Sequence, residues 1–331
     1  MATESGDVFL QAPGGLVLPR LGLGTWAWGD AATWGMNAYD RSYDLDTIRE
    51  AYRASVDAGV TLLDSAEMYG NGESERIIGR LLEEDPARAA RVVLATKFMP
   101  FPWLVPFARR LRDALRASLD RLRMPFVHLY QVHGPISLRA HRAVAAALAG
   151  PYRDGLFRAA GVSNYSAREL RAMHAALTAE GVPLATNQVE FSLLRTMPER
   201  GGLLDTCREL GVHVLAYSPI GMGRLSGKYT AAHPPPGRRH FSAYPMAEIA
   251  PVVAELARVG ARHGGRTPAQ VALNWIICKG AIPIPGAKNA AQAAQNAGAL
   301  GWRLAADDVA ALDAIGKHGQ RGIFNRVWQH G

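Results

Sequence analysis

The feature that most restricts the fold is an alternation of two sequence periods. Eight short β-rich runs, LGLGTW (21–26), VTLLDSA (60–66), VVLATKF (92–98), FVHLYQVH (126–133), RAAGVSN (158–164), LATNQVEF (184–191), HVLAYSP (213–219) and AIPIPGA (281–287), are separated by helical stretches. Among those stretches are TIREAYRASVDAG, ESERIIGRLLEE, SARELRAMHAALTAE and TPAQVALNWIICKG, with apolar residues at i, i+3, i+4 and i+7. Strands apolar on both faces, nearly all followed by helices, predict an α/β chain closed into a (β/α)8 TIM barrel. An open doubly wound sheet would require a Gly-rich phosphate loop after its first strand. GLGTWAWGD has neither that spacing nor the helix that should follow. Ahead of the barrel, VFLQ and LVLPRLG flank Ala-Pro-Gly-Gly, which predicts an N-terminal β-hairpin capping the barrel bottom. The 331 residues suit one barrel domain over positions 1–331.

Composition removes several function classes. Hydrophobic residues are 48% and charged residues 20%, enough apolar area for a core. The N-terminus lacks a basic region followed by an apolar one, and no run approaches the roughly 18 apolar residues of a membrane span. Cys207 and Cys278 lie far apart with no metal-ligand spacing, so they read as reduced thiols of a cytoplasmic protein. A net charge of +8 invites a nucleic-acid partner. The densest basic stretch, ARRLRDALRASLDRLR, interleaves Arg with Leu and Ala at helical spacing, which is the pattern of a solvated helix face. We therefore expect neither nucleic acid nor membrane as partner, while the positive field favours a polyanionic cofactor.

Two segments break the rhythm: AWGDAATWGMNAYDRSYD after the first barrel strand, and the Gly/Pro-rich IGMGRLSGKYTAAHPPPGRRHFSAYP after the seventh. Both lie on the C-terminal side of strands, where barrel active sites are built. Polar groups gather on the same side. The second strand ends at Asp64 with Tyr69 behind it, the third in Thr96-Lys97, and the fourth at His133. Neighbouring strands lie about 4.8 Å apart, so these side chains come within reach of one another. Taken singly, Asp64 reads as a helix cap, Tyr69 as an ordinary aromatic, Lys97 as a snorkelling side chain and His133 as a structural histidine. Together they fit reduction of a carbonyl, which builds an alkoxide and needs a proton donor beside positive charge. Tyr69 would be the acid, Lys97 the cation that lowers the phenol pKa, Asp64 the anchor of the ammonium, and His133 a donor to the substrate oxygen. The same lysine would equally suit a Schiff-base aldolase.

Across essentially its whole length the chain resembles the aldo-keto reductases. The resemblance rests on GLGTW, DSAEMYG, LATKF, LYQVHGP, GVSNYS, NQVEFSLL, AYSPIGMGRLSGKY and IPIPGAKNAAQAAQN, in family order and spacing. The pattern is closest to the plant-plastid and cyanobacterial branch with pyridoxal-reductase-like enzymes. It implies a cytoplasmic, NADPH-dependent reductase of a small, hydrophobic or aromatic carbonyl, acting as a monomer or homo-oligomer. It implies the catalytic tetrad Asp64, Tyr69, Lys97 and His133. Thr25, Trp26 and Asp64 would border the cofactor. Ser163, Asn164 and Gln188 would hold the nicotinamide carboxamide, and Tyr217 would stack on its ring. Ser218, Pro219, Ile220, Gly221, Gly223, Leu225, Gly227 and Lys228 would wrap the pyrophosphate. Gly286, Lys288, Gln292, Gln295 and Asn296 would take the adenosine phosphate end, with Lys288 at the 2′-phosphate favouring NADPH over NADH. A solvated surface lysine is the alternative for Lys288. A non-catalytic NADPH-binding module that senses redox state is the alternative for the whole chain.

Three departures matter. Many relatives carry Trp after the tetrad histidine, and this chain has Gly134, which is expected to leave a gap in the pocket wall. Asn164 stands where other branches place Arg, and Gln292 where some use Arg against adenine. Trp28, Trp34, Met36, Tyr39, Phe101 and Trp103 are expected to ring the mouth, although packing of the long loops on the barrel explains the same residues equally well.

Overall fold

The computed structural model describes residues 9–29, 44–236, 241, 243–320 and 322–331, the side chains of 323, 324 and 326 excepted. The hairpin forms first, β1 (Phe9–Ala12) against β2 (Leu16–Pro19) in antiparallel register. Eight parallel strands follow: β3 (Gly22–Gly24), β4 (Leu62–Asp64), β5 (Val93–Phe98), β6 (Val127–Val132), β7 (Phe157–Ser163), β8 (Leu184–Glu190), β9 (His213–Tyr217) and β10 (Ile282–Pro283). Each falls inside a run expected from the sequence except β7, which starts one residue earlier, at Phe157. The sheet order is the chain order, and a parallel bridge from Gly24 to Gly286 closes the ring. Gly24 must be glycine there, because a Cβ would lie 2.8 Å from the Ile284 carbonyl oxygen. This is the expected (β/α)8 barrel.

Period-two alternation then assigns every strand residue a side. Leu63, Leu94, Tyr130 and Val162 point outward into the helix layer. Leu62, Ala95, Leu129, Ala159, Leu215 and Ile282 point inward and form a second, inner cluster. Ala12, Leu16 and Leu18 of the hairpin insert into that cluster, so the hairpin plugs the barrel at its N-terminal end. The same alternation, carried one step further along the chain, brings Asp64, Lys97, Gln131 and His133 to the inner face at the opposite end.

The helices begin where the sequence places caps. Asp44 with Thr47, Ser166 with Glu169, and Thr267 with Gln270 each form a capping box, ahead of Leu45–Asp57, Ala167–Ala179 and Pro268–Cys278. The arginine-rich segment is the helix Phe107–Leu122, which buries Leu111, Leu115, Leu119 and Leu122 and turns most of its arginines outward, Arg121 instead donating to the buried Glu75 at 2.7 Å. Among the described residues, no helix is long and apolar enough to cross a membrane. Cys207 is buried and Cys278 half-buried, both as free thiols.

Candidate active site

Lys97 sits at the inner C-terminal end of β5, fully buried, and its three ammonium protons have three acceptors. They are Asp64 Oδ2 at 2.5 Å, the Ser65 carbonyl at 2.8 Å and the Tyr69 hydroxyl oxygen at 3.0 Å. The second carboxylate oxygen of Asp64 accepts from Gln131 Nε2 at 2.9 Å and Gln188 Nε2 at 2.8 Å. A buried ion pair is tolerable only when its remaining hydrogen-bonding capacity is met, and here it is. Thr25 is buried beneath, donating to the Asp64 carbonyl at 3.0 Å. Tyr69 follows the strand end in a short turn, and its ring lies edge-on to that of His133, centroids 5.8 Å apart. The four residues expected to act together are thus adjacent on three neighbouring strand ends. Gln131 was missed; its signal was a polar residue at an inward position of an apolar strand.

The electrostatics differ from the sequence expectation in one respect. Burial pushes the Tyr69 phenol above its ordinary value; Lys97 opposes that shift without reversing it. The phenol therefore keeps its proton in the resting site. Burial alone would pull the Lys97 ammonium down, but Asp64 and Tyr69 beside it hold it above the usual lysine value. His133 is driven well below the usual histidine range by burial and then by Lys97, so its ring is neutral.

Over this floor opens a cavity of about 790 Å³, within the usual range of small-molecule sites. Asp64, Tyr69 and His133 line it, as do Gly286, Lys288, Gln292, Gln295 and Asn296.

The aldo/keto reductase family pattern matches residues 20–317. The chain belongs to the aldo/keto reductase family. It is 36% identical over 327 residues to the chloroplastic pyridoxal reductase of Arabidopsis thaliana, a match covering 96% of this chain and 88% of that protein. The glycerol dehydrogenase of Gluconobacter oxydans superposes with a TM-score of 0.76 at 26% identity, over 98% of each chain. An aldo/keto reductase of Klebsiella pneumoniae, solved with NADP and acetate, gives 0.72 at 27% identity over 95% of this chain and 97% of that one.

In this aldo/keto reductase the remaining expected site residues divide into lining and supporting groups. Trp26, Ser163, Asn164, Gln188 and Tyr217 line the cavity. Asn164 gives its amide nitrogen to Ser163 Oγ and receives the Tyr217 hydroxyl at 3.1 Å. Ser218, Pro219, Ile220, Gly223 and Lys228 line it as well. Gly221 and Gly227 are not among the lining residues but hold the loop in shape, while Leu225 is in the hydrophobic core. Ser218, Gly221, Met222, Gly223 and Gly227 all have positive φ, between 49° and 90°. Clustered turns of this kind aim backbone N–H groups into a concavity and suit an anion. Lys288 lies beside Gln292, whose side chain accepts its backbone N–H at 3.0 Å.

The aromatic rim is largely corrected. Trp28 is not at the mouth: its side chain is fully buried in the core and its indole donates to the Ala287 carbonyl. Trp103 is 71% exposed, stacked on Phe101, and of the two only Phe101 lines the cavity. Trp34, Met36 and Tyr39 lie outside the described residues. The gap expected beside Gly134 is also absent. Trp328, from the helix Ile323–Trp328, fills it, with Cζ3 only 2.8 Å from where a Cβ on Gly134 would stand. Trp328, Asn325 and Phe241 are lining residues that the sequence did not reveal.

Proposed function

We propose that this single-domain barrel reduces an aldehyde or ketone to the alcohol with NADPH, Tyr69 acting as the acid. The observation that carries the reading is the Tyr69 hydroxyl 3.0 Å from an ammonium that Asp64 anchors at 2.5 Å, at the floor of a cavity. The cofactor fits the residues present: positive-φ turns suited to a pyrophosphate, with Lys228 and Lys288 lining the same cavity. Ser163, Asn164 and Gln188 would hold the carboxamide, with Tyr217 against the ring. Residues 218–227 and Lys228 would hold the pyrophosphate, and Lys288, Gln292, Gln295 and Asn296 the adenosine phosphate end. Bound there, the reduced nicotinamide supplies the hydride that the carbonyl carbon takes up.

The protein's part is to manage the charge left on oxygen. Tyr69 enters the step protonated, because burial raises its phenol. It gives that proton to the substrate oxygen as the C–O double bond becomes single. The tyrosinate that remains is stabilised by Lys97, already 3.0 Å away, and is reprotonated from solvent. The neutral His133 ring donates a hydrogen bond to the same oxygen and adds no positive charge to the site. An imine-forming role for Lys97 is disfavoured, since its ammonium is held above its usual pKa and fully hydrogen-bonded. A pure binding module would have no use for this arrangement.

The class of substrate is a small, apolar or aromatic carbonyl, in keeping with the pyridoxal reductase relative and the apolar lining from Met68, Met99, Phe101 and Ile136. We place the enzyme in the cytoplasm, with neither nucleic acid nor membrane as partner. The test is loss of NADPH absorbance with the purified protein against pyridoxal, aromatic aldehydes, methylglyoxal and cyclic ketones. Turnover of at least one, faster with NADPH than NADH, is expected. No turnover of any, together with borohydride trapping of a carbonyl on Lys97, would overturn it.

A further inference from the structure

The segment that closes the pocket beside His133 comes from far along the chain. The helix Ile323–Trp328 has six residues, too few to persist alone. It is held by the residues that follow it. Gln329 Nε2 donates to Glu190 Oε2 at 2.6 Å and to the Tyr217 hydroxyl at 2.7 Å, and its Oε1 accepts from Asn325 Nδ2 at 2.6 Å. The His330 backbone N–H reaches the Asn164 carbonyl at 3.2 Å, and its ring meets Glu169 at 2.9 Å. Apart from Asn325, these partners stand at the ends of β7, β8 and β9 and at the start of the helix Ala167–Ala179, so the strap is tied to the barrel rim as well as to itself.

What the latch positions is an indole. Trp328 lies edge-on to the His133 ring, centroids 5.7 Å apart, and lines the cavity with Tyr69 and His133. Its six-membered ring occupies the space over Gly134: a Cβ there would stand 2.8, 3.0 and 3.3 Å from Cζ3, Cη2 and Cε3. A fused ring cannot fold away as a flexible chain end could. Any side chain at 134 must therefore displace the indole, and with it the strap.

We propose that Trp328 is a specificity-determining residue, forming the pocket wall beside His133, and that position 134 is glycine to seat it. The proposal rests on the carbonyl-reductase reading above. A rigid wall next to the hydrogen-bond donor of the carbonyl oxygen limits the second substituent on the carbonyl carbon. It therefore selects aldehydes over ketones of the same aromatic body.

The experiment compares kcat/KM for acetophenone and benzaldehyde in wild type, Trp328→Ala, Trp328→Phe, Gly134→Ala and the Gly134→Ala/Trp328→Ala double variant. Hydrogen exchange of residues 323–331 is followed in each. The ketone-to-aldehyde ratio should rise at least about ten-fold in Trp328→Ala, in line with the usual reach of a changed apolar pocket. It should rise in Gly134→Ala too, less in Trp328→Phe, and no further in the double variant. Gly134→Ala should lose exchange protection over residues 323–331. A ratio that stays at the wild-type value in both Trp328 variants overturns the specificity role. Unchanged exchange in Gly134→Ala, or effects that multiply in the double variant, overturns the seating of the indole. A wild-type chain that reduces neither carbonyl overturns the functional reading instead, and the exchange result still decides the contact.

Discussion

Tyr69 and Lys97 illustrate how two neighbours can be read correctly as a pair while the burial around them goes unread. Adjacent strand ends made the pairing legible from the sequence. Lys97 pulls the phenol pKa down as expected, but burial of Tyr69 outweighs that pull and leaves it above its ordinary value. Burial depends on what the rest of the chain places over the site, and no short motif contains that information. Trp28 failed for the same reason. Its loop position suggested a rim, and only the structure reveals a carbonyl at 287 to receive the indole N–H within the core. Lys288 carries the prediction at this scale. If it meets the 2′-phosphate, Lys288→Ala should weaken NADPH binding by about 1.5–3 kcal/mol, the range for hydrogen bonds to charged groups. NADH binding should hardly change. Titration calorimetry with both nucleotides decides it; equal losses, or none, would remove Lys288 from cofactor selection.

The turn that carries Tyr69 is itself tied down by a half-buried carboxyl. Glu67 accepts the Met99 backbone N–H at 2.7 Å, linking the segment after β4 to the segment after β5. Burial raises its pKa from 4.5 to about 7. The folded state therefore binds the proton more tightly than the unfolded chain. Its contribution to stability is full below the unfolded value of 4.5 and is lost as pH rises through about 7. Glu67→Gln keeps an oxygen for Met99 N–H and has no proton to lose. Relative to wild type, the variant should gain on the order of 2–3 kcal/mol in urea-derived stability between pH 4.5 and 8. His133 and His128, both shifted downward, work with the opposite sign, favouring the fold above the unfolded histidine value. They do so in both proteins and cancel in the difference. A difference that does not change with pH would mean that Glu67 is ionised in the fold.

At the scale of the molecule, the barrel separates what holds it together from what it does. The hairpin closes the N-terminal end through Leu18, fully buried against strand residues, while the tetrad sits at the other end. Leu18→Ala should therefore cost about 2–5 kcal/mol of stability while leaving kcat close to wild type at a temperature where the variant stays folded. A parallel fall in kcat and stability would show that the two ends are not independent. This division was legible because eight strands with period-two patterning, each followed by a helix, leave few other topologies. The strap over the active site was not. Its helix is six residues long, giving no usable periodicity, and its contacts reach across the chain, from His330 to Glu169 and from Gln329 to Glu190. Nor does Gly134 by itself say whether the missing side chain leaves a hole or makes room for Trp328, and here it makes room.

The measurement that bears most directly on the whole account is steady-state turnover and NADPH affinity of Tyr69→Phe beside wild type. Removing the hydroxyl takes away the proton donor but leaves Lys97 bound to Asp64 and to the Ser65 carbonyl, so the fold and the cofactor site should survive. Unchanged NADPH affinity is expected, with a kcat lower by roughly 10²–10⁴, the usual worth of a positioned acid. Near-wild-type turnover in the purified variant would contradict it.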